Sequence, residues 1–193
     1  MALINAQTRT MWATSFLILC SGSPTGALGS EVGPADVFVD TRPWQEDNGK
    51  TLVLRDLLGQ DLVAVTMAYA NCERTCPMTF RLLRDFESRL SIAHRRLTVA
   101  VVSLDPLRDT EAKLKGAAAA ATGHDQSWLF LRGTSDQTKA VAASLGVDPF
   151  MLDDHLVHKL KIWIYDGKGH ELGSFDWQHR DFDEFIGKLK PKD

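Results

Sequence analysis

This 193-residue sequence has no surplus of positive charge: 22 Lys and Arg stand against 25 Asp and Glu, a formal net charge of −3 at pH 7. It therefore carries no electrostatic footprint for nucleic acid, and no nucleic-acid partner is expected. No apolar run reaches the roughly 20 residues that a bilayer-spanning helix needs, which excludes a polytopic membrane protein. Internal repeats are missing, and the composition is neither collagen-like nor that of a disordered tail. Cysteine is scarce, with three residues. What is present suits a globular domain: 44% hydrophobic and 24% charged residues, with five Trp and nine Phe to build a core. One domain is the default at this length.

The N-terminus reads as a targeting signal. Arg9 is the only charged side chain before Glu31, and it precedes the apolar run Met11 to Cys20. A small-residue stretch follows and ends in Ala27-Leu28-Gly29, a cleavage pattern. The expectation is a secretory signal over residues 1–29, cleaved near Gly29, and a single mature domain over 30–193. The alternative is a retained segment that associates the protein with the membrane. Lipoprotein processing before Cys20 is disfavoured, because Leu19 is bulky where a small residue is needed. Cleavage removes Cys20 and leaves two cysteines, Cys72 and Cys76, in an exported chain. In an oxidising compartment such a pair is a disulfide, a redox couple or a metal site.

Gly33 to Asn48 reads as a surface lead-in with a short strand at Val37-Phe38-Val39, and Leu52-Val53-Leu54 as another short strand. Leu62 to Tyr69 and Leu97 to Leu104 are near-continuous apolar runs, the pattern of strands buried on both faces. Trp128 to Leu131 is a third strand. Lys161 to Tyr165 alternates and closes on the turn Asp166-Gly167-Lys168-Gly169. Helical patterns lie between. One opens at Pro77 and continues through Leu83, Phe86, Leu90 and Ala93. A second is capped by Asp109 or Thr110 and runs into the alanines 117–121. A third is capped by Ser135 and ends at Gly146, and Asp181 with Glu184 starts a fourth. Strands alternating with helices predict a three-layer α/β domain with a partly parallel sheet, the Trp163 strand and the hairpin after it being antiparallel.

Cys72-Glu73-Arg74-Thr75-Cys76-Pro77 falls between a buried strand and a helix start. A helix N-terminus carries free N–H groups and partial positive charge, so a thiol there is acidified toward the thiolate that attacks disulfides and binds metal. On one helical turn, residues i and i+4 have Cβ atoms about 5–6 Å apart, so a disulfide needs some local adjustment. The same sulfurs can also converge on one ion. The plain alternative is a structural staple.

Two thiolates make an incomplete metal site. Of the six histidines, His158 precedes the Lys159 to Tyr165 strand with the parity of its apolar face, so it points inward at the strand's edge. His155 has the opposite parity and lies in the acidic stretch Asp153-Asp154-His155. His94 reads as a solvated turn residue, and His124, His170 and His179 as exposed. Two thiolates and an imidazole form a soft, low-coordinate set that suits Cu(I), whereas structural zinc wants a fourth ligand, for which only His155 offers itself. Cu(II) fits the set with an extra ligand.

Tyr69-Ala70-Asn71-Cys72-Glu73-Arg74-Thr75-Cys76-Pro77 resembles the Cys-x-x-x-Cys-Pro motif of the Sco family, also called SenC. Ser103-Leu104-Asp105-Pro106-Leu107-Arg108-Asp109-Thr110 is similar to its Ser-Val-Asp-Pro-x-x-Asp-Thr signature, and Trp128 to Gly133 to its Trp-x-x-(Leu/Phe)-x-Gly segment. His158, its strand and the turn at Asp166 complete the set, and four weak motifs in the right order are specific. Glu73 and Arg74 stand where the family has Pro and Asp, and Lys159 where it has Ser or Thr. The resemblance implies a thioredoxin-like α/β/α domain with a mixed central sheet, and a copper site of Cys72, Cys76 and His158. It implies a periplasmic metallochaperone that delivers copper, as Cu(I) or Cu(II), to the oxidase subunit carrying the binuclear copper centre of cytochrome c oxidase. Other copper chaperones or thiol reductases would be further partners.

The competing reading is a thiol–disulfide oxidoreductase, with Cys72 and Cys76 as the redox-active pair reducing a partner's copper-site cysteines. A peroxiredoxin-like peroxidase shares the fold class but not the Cys-x-x-x-Cys spacing. A disulfide-stapled binding module is the non-catalytic alternative.

Overall fold

The computed structural model describes residues 36–72, 75–122, 125–152, 155–157, 161–176 and 178–189, all within the compact unit Val32–Asp193. The expected signal segment and His158 lie outside the described residues.

Two strands form the centre, β3 (Leu62–Ala68) and β4 (Leu97–Ser103). They pair in parallel, Leu62 opposite Leu97 and Ala68 opposite Ser103. Every residue of β3 is buried, and so is all of β4 except Thr98. The continuous apolar runs therefore mark strands covered on both faces. Strand β5 (Trp128–Arg132) continues the parallel set beside β4. On the other side, β8 (Ile162–Asp166) and β9 (Glu171–Phe175) add antiparallel, as expected for the Trp163 strand and its hairpin. Strands β1 (Trp44–Glu46) and β2 (Thr51–Leu52) finish a seven-stranded mixed sheet, order β2-β1-β5-β4-β3-β8-β9.

Helices cover both faces. The crossovers α1 (Cys76–Ile92), from β3 to β4, and α2 (Glu111–Thr122), from β4 to β5, lie on one face together with α4 (Phe182–Lys188). Two parallel crossovers running the same way along a sheet must share a face if both are right-handed. Phe86 of α1 packs on Phe175, Phe182 and Phe185 with ring centroids 5.1–5.8 Å apart. The opposite face is filled by α3 (Ser135–Ser144) with Val37, Phe38, Leu54 and Leu57. This is the expected thioredoxin-like α/β/α arrangement with a mixed sheet.

Several local expectations need correction. Val37–Val39 is not a strand; Asp36–Phe38 forms a 3-10 turn, because Val37 and Phe38 are both drawn into the core rather than alternating. The strand expected at Leu52–Leu54 ends at Leu52, and Leu54–Leu57 is a second 3-10 turn whose Asp56 carboxylate accepts from the Val53 N–H. Thr134, not Ser135, caps α3, accepting from Gln137 N while Gln137 Oε1 accepts from Thr134 N. Of the two caps expected for α2, Thr110 serves: its Oγ1 accepts from Lys113 N, and Asp109 turns inward. Asp181 caps α4 as expected. Trp163 and Tyr165 alternate with Ile162 and Ile164, yet neither face of the strand is open. Both aromatics are buried in the core of the opposite face, where Phe38 packs edge-on against Tyr165 at 5.0 Å. Strand β1 and the hairpin β6 (Phe150–Leu152) and β7 (His155–Val157) had no expectation.

The Trp128-to-Gly133 segment has a physical basis. Trp128 Nε1 donates to Glu87 of α1, and a Cβ at Gly133 would lie 2.7 Å from the ring of the fully buried Trp44. One end of β5 thus anchors a helix and the other accommodates an indole.

Candidate metal and thiol site

The C-terminal ends of parallel strands are where open α/β sheets place their sites, and the cysteine turn leaves the end of β3. Cys76 is the first residue of α1 and Pro77 the second, a position whose missing N–H costs the helix nothing. Cys72 lies outside the helix, its N–H donating to the Tyr69 carbonyl at 3.1 Å. That placement supplies the local adjustment the spacing demanded. The two Cα atoms are 5.7 Å apart and the sulfurs are joined as a disulfide, within the usual range of ~4.4–6.8 Å.

The two sulfurs are not equivalent. Cys76 N–H, one of the free amides of the helix start, donates to Cys72 Sγ at 3.2 Å. Thr75 Oγ1 stands 3.2 Å from the same sulfur. Cys72 is 9% exposed and Cys76 1%. Donors and helix dipole therefore favour negative charge on Cys72, the less buried of the two residues.

Behind the turn, the segment after β4 supplies a buried polar cluster. Asp109 is 1% exposed. Its Oδ1 accepts from Ala70 N at 3.0 Å, and its Oδ2 from Ser103 Oγ at 2.6 Å. Ser103 Oγ in turn accepts from Asp105 N, and Ser103 C=O from Thr138 Oγ1 of α3. Burial pushes the Asp109 carboxyl above its ordinary value, against the two hydrogen bonds that favour its ionised form. In the sequence this segment reads as a family signature, with Asp109 as a helix-cap candidate. Its spacing held no hint that Asp109 reaches Ala70.

Of the residues expected to form the site, Cys72 and Cys76 come together, while His158 lies outside the described residues. His155 is in β7. Among the described residues, no three His, Cys, Asp or Glu gather to hold a metal ion. His94 is an exposed turn residue with φ 55°, and His179 is exposed, both as expected. His170 is not fully exposed: its ring Nδ1 lies 3.0 Å from Asp166 Oδ2 at the β8–β9 turn.

Residues 43–191 match the SCO1/SenC family model. No curated protein matches. Among solved structures, Arabidopsis thaliana ScoI with copper bound aligns at TM-score 0.66 and 18% identity, over 75% of this chain and 90% of its own. BsSco, described as a member of the Sco family of cytochrome c oxidase assembly proteins with a disulfide switch, aligns at 0.64 and 20%, over 81% and 94%. A SCO1/SenC family lipoprotein from Bacillus anthracis aligns at 0.69 and 16%, over 80% and 94%. At these identities the structural likeness establishes a shared fold.

Proposed function

Because this chain belongs to the SCO1/SenC family, we propose that it binds copper through Cys72, Cys76 and His158 and delivers it to the copper-bearing subunit of cytochrome c oxidase. The observation that carries the reading is the cysteine pair itself: two sulfurs at a helix start, one of them, on the less buried residue, receiving a backbone N–H. The ScoI structure with copper bound and the assembly role stated for BsSco support it. Reduction of the disulfide takes two electrons and two protons. Cu(I) then displaces both protons as the thiolates bind, a soft donor pair matched to a soft cation. His158 follows β7 directly in the chain and supplies the third donor. The N-terminal segment directs export to the periplasm, by cleavage near Gly29 or by retention at the membrane; that one aligned structure is a SCO1/SenC family lipoprotein supports an exported protein.

The test is native mass spectrometry of the reduced protein with Cu(I). One copper per chain is expected in the wild type, none retained in Cys72→Ala or Cys76→Ala, and weakened retention in His158→Ala. Normal binding by His158→Ala with loss in His155→Ala identifies His155 as the ligand instead.

The asymmetry of the sulfurs favours a second reading, a thiol–disulfide oxidoreductase. Cys72 thiolate attacks a partner disulfide and forms a mixed disulfide. Cys76 thiolate then resolves it, leaving Cys72–Cys76 oxidised and the partner with two thiols. A thiol reductase must restore the pair. Stoichiometric reduction of an oxidised copper-site peptide by the metal-free dithiol checks this reading.

A further inference from the structure

We infer that Asp109 is a positioning residue for the cysteine pair, a latch that holds the turn after β3 in the one shape in which Cys72 can close on Cys76 or share a copper ion with it. The inference rests on the reading of these cysteines as a metal- and disulfide-forming pair.

The carboxyl group is placed for that task. Oδ1 accepts from the N–H of Ala70, two residues before Cys72, a chain span of at most about 7 Å. Oδ2 accepts from Ser103, the last residue of β4, so one side chain ties the loops leaving two adjacent parallel strands. The latch is itself braced. Asp109 N–H donates to the Asp105 carbonyl at 2.9 Å, and Ser103 is held by Asp105 N–H and by Thr138 of α3. Cys72 N–H bonds to Tyr69, inside the same turn. The bond from Ala70 to Asp109 therefore fixes the whole turn against the sheet rather than one residue of it.

The consequence is preorganisation. Disulfide and copper complex both need Cys72 ordered, whereas the free dithiol does not. A turn already fixed loses little freedom on closing. Without the latch, both closed forms are weakened relative to the dithiol, in the same direction. A purely structural role would lower stability and leave these equilibria alone.

The experiment measures two equilibria on Asp109→Ala, Asp109→Asn, Ser103→Ala and the wild type. One is Cu(I) retention against a chelator, the other the dithiol–disulfide equilibrium against glutathione. Asp109→Ala is expected to lose about 10- to 100-fold in Cu(I) affinity, the size seen when support behind a metal ligand is removed. Its disulfide equilibrium constant is expected to fall about tenfold, ~30 mV. Asp109→Asn should recover most of both, since the amide oxygen still accepts from Ala70 and the NH₂ can donate to Ser103. Ser103→Ala should shift both less far in the same direction, and it carries the test if Asp109→Ala does not fold. Asp61→Ala, at the far end of β3, is the control and should lower stability without moving either equilibrium. Unchanged equilibria in Asp109→Ala overturn the inference, and so does an Asn variant as impaired as the Ala variant. If the wild type takes up no copper, the copper reading fails and the glutathione equilibrium still decides the role of Asp109.

Discussion

The two ends of the β3–β4 pair each hold a buried carboxylate, and they use it in opposite ways. At the N-terminal end, Asp61 accepts from Arg95 Nε and Nη2 at 2.8–3.0 Å and from Arg96 N. The side chains of Arg95 and Asp61 are 14% and 6% exposed. At the C-terminal end, Asp109 accepts from an amide and a hydroxyl. No salt bridge reaches it among the described residues. A charge matched by a guanidinium closes this end of the sheet. A carboxylate held only by neutral donors is a costlier arrangement, tolerated where it orders a loop that has work to do. The contrast separates an end closed by a matched ion pair from one where a carboxyl bonded to neutral donors ties two loops together, on strands that are otherwise continuous.

The largest effect is expected where the matched charge is broken. Arg95→Ala takes the guanidinium away from a largely buried carboxylate that keeps the Arg96 N–H and should cost about 3 kcal/mol, measured by urea unfolding, with the Cys72–Cys76 potential unchanged. A shifted potential would mean the two ends are not independent. Asp109→Ala leaves the Ala70 N–H and Ser103 hydroxyl without their partner and should cost about 1–3 kcal/mol. The two losses should add within about 0.5 kcal/mol, because the seven residues of β3 keep the sites roughly 20 Å apart.

Next comes the dependence on pH. Burial raises the Asp109 carboxyl, so the folded protein holds this proton more tightly than the unfolded chain. Its contribution to stability is complete below the ordinary value of 3.8 and is lost as pH rises through the folded value. Asp109→Asn lacks that loss, so it should gain on the wild type as pH is raised from 4 toward neutrality; a gap that does not change would remove burial as the cause. Asp166 should show the reverse slope, and the smallest effect. Burial works to raise its carboxyl, but the His170 and Lys168 N–H groups and the His170 ring outweigh it and hold it below 3.8. Its contribution is present above 3.8 and fades as pH falls through the folded value. Asp166 is part-exposed, so Asp166→Asn should cost less than about 1 kcal/mol at neutral pH and less still in acid. A cost that grows in acid would show that the turn is held by something other than this charge.

The sequence by itself determined what depends on neighbours along the chain. Continuous apolar runs marked β3 and β4, because a strand covered on both faces needs no polar alternation. Pro77 marked the start of α1 and Asp181 that of α4, because caps and first-turn prolines act within three or four residues. The cysteine pair was legible for the same reason, four residues apart beside that helix start. Only the tertiary structure decided what depends on chain segments meeting. Val37 and Phe38 look like a strand, yet they coil into a 3-10 turn because the core beside Tyr165 takes both side chains at once. Trp44–Glu46 is too short to carry a pattern and becomes a strand because β2 and β5 offer it partners. Thr134 rather than Ser135 caps α3, a one-residue difference that backbone direction settles. The hydrogen bond from Ala70 to Asp109 joins residues 39 apart. No periodicity or motif encodes that distance, since it exists only once two parallel strands end side by side and bring their loops together.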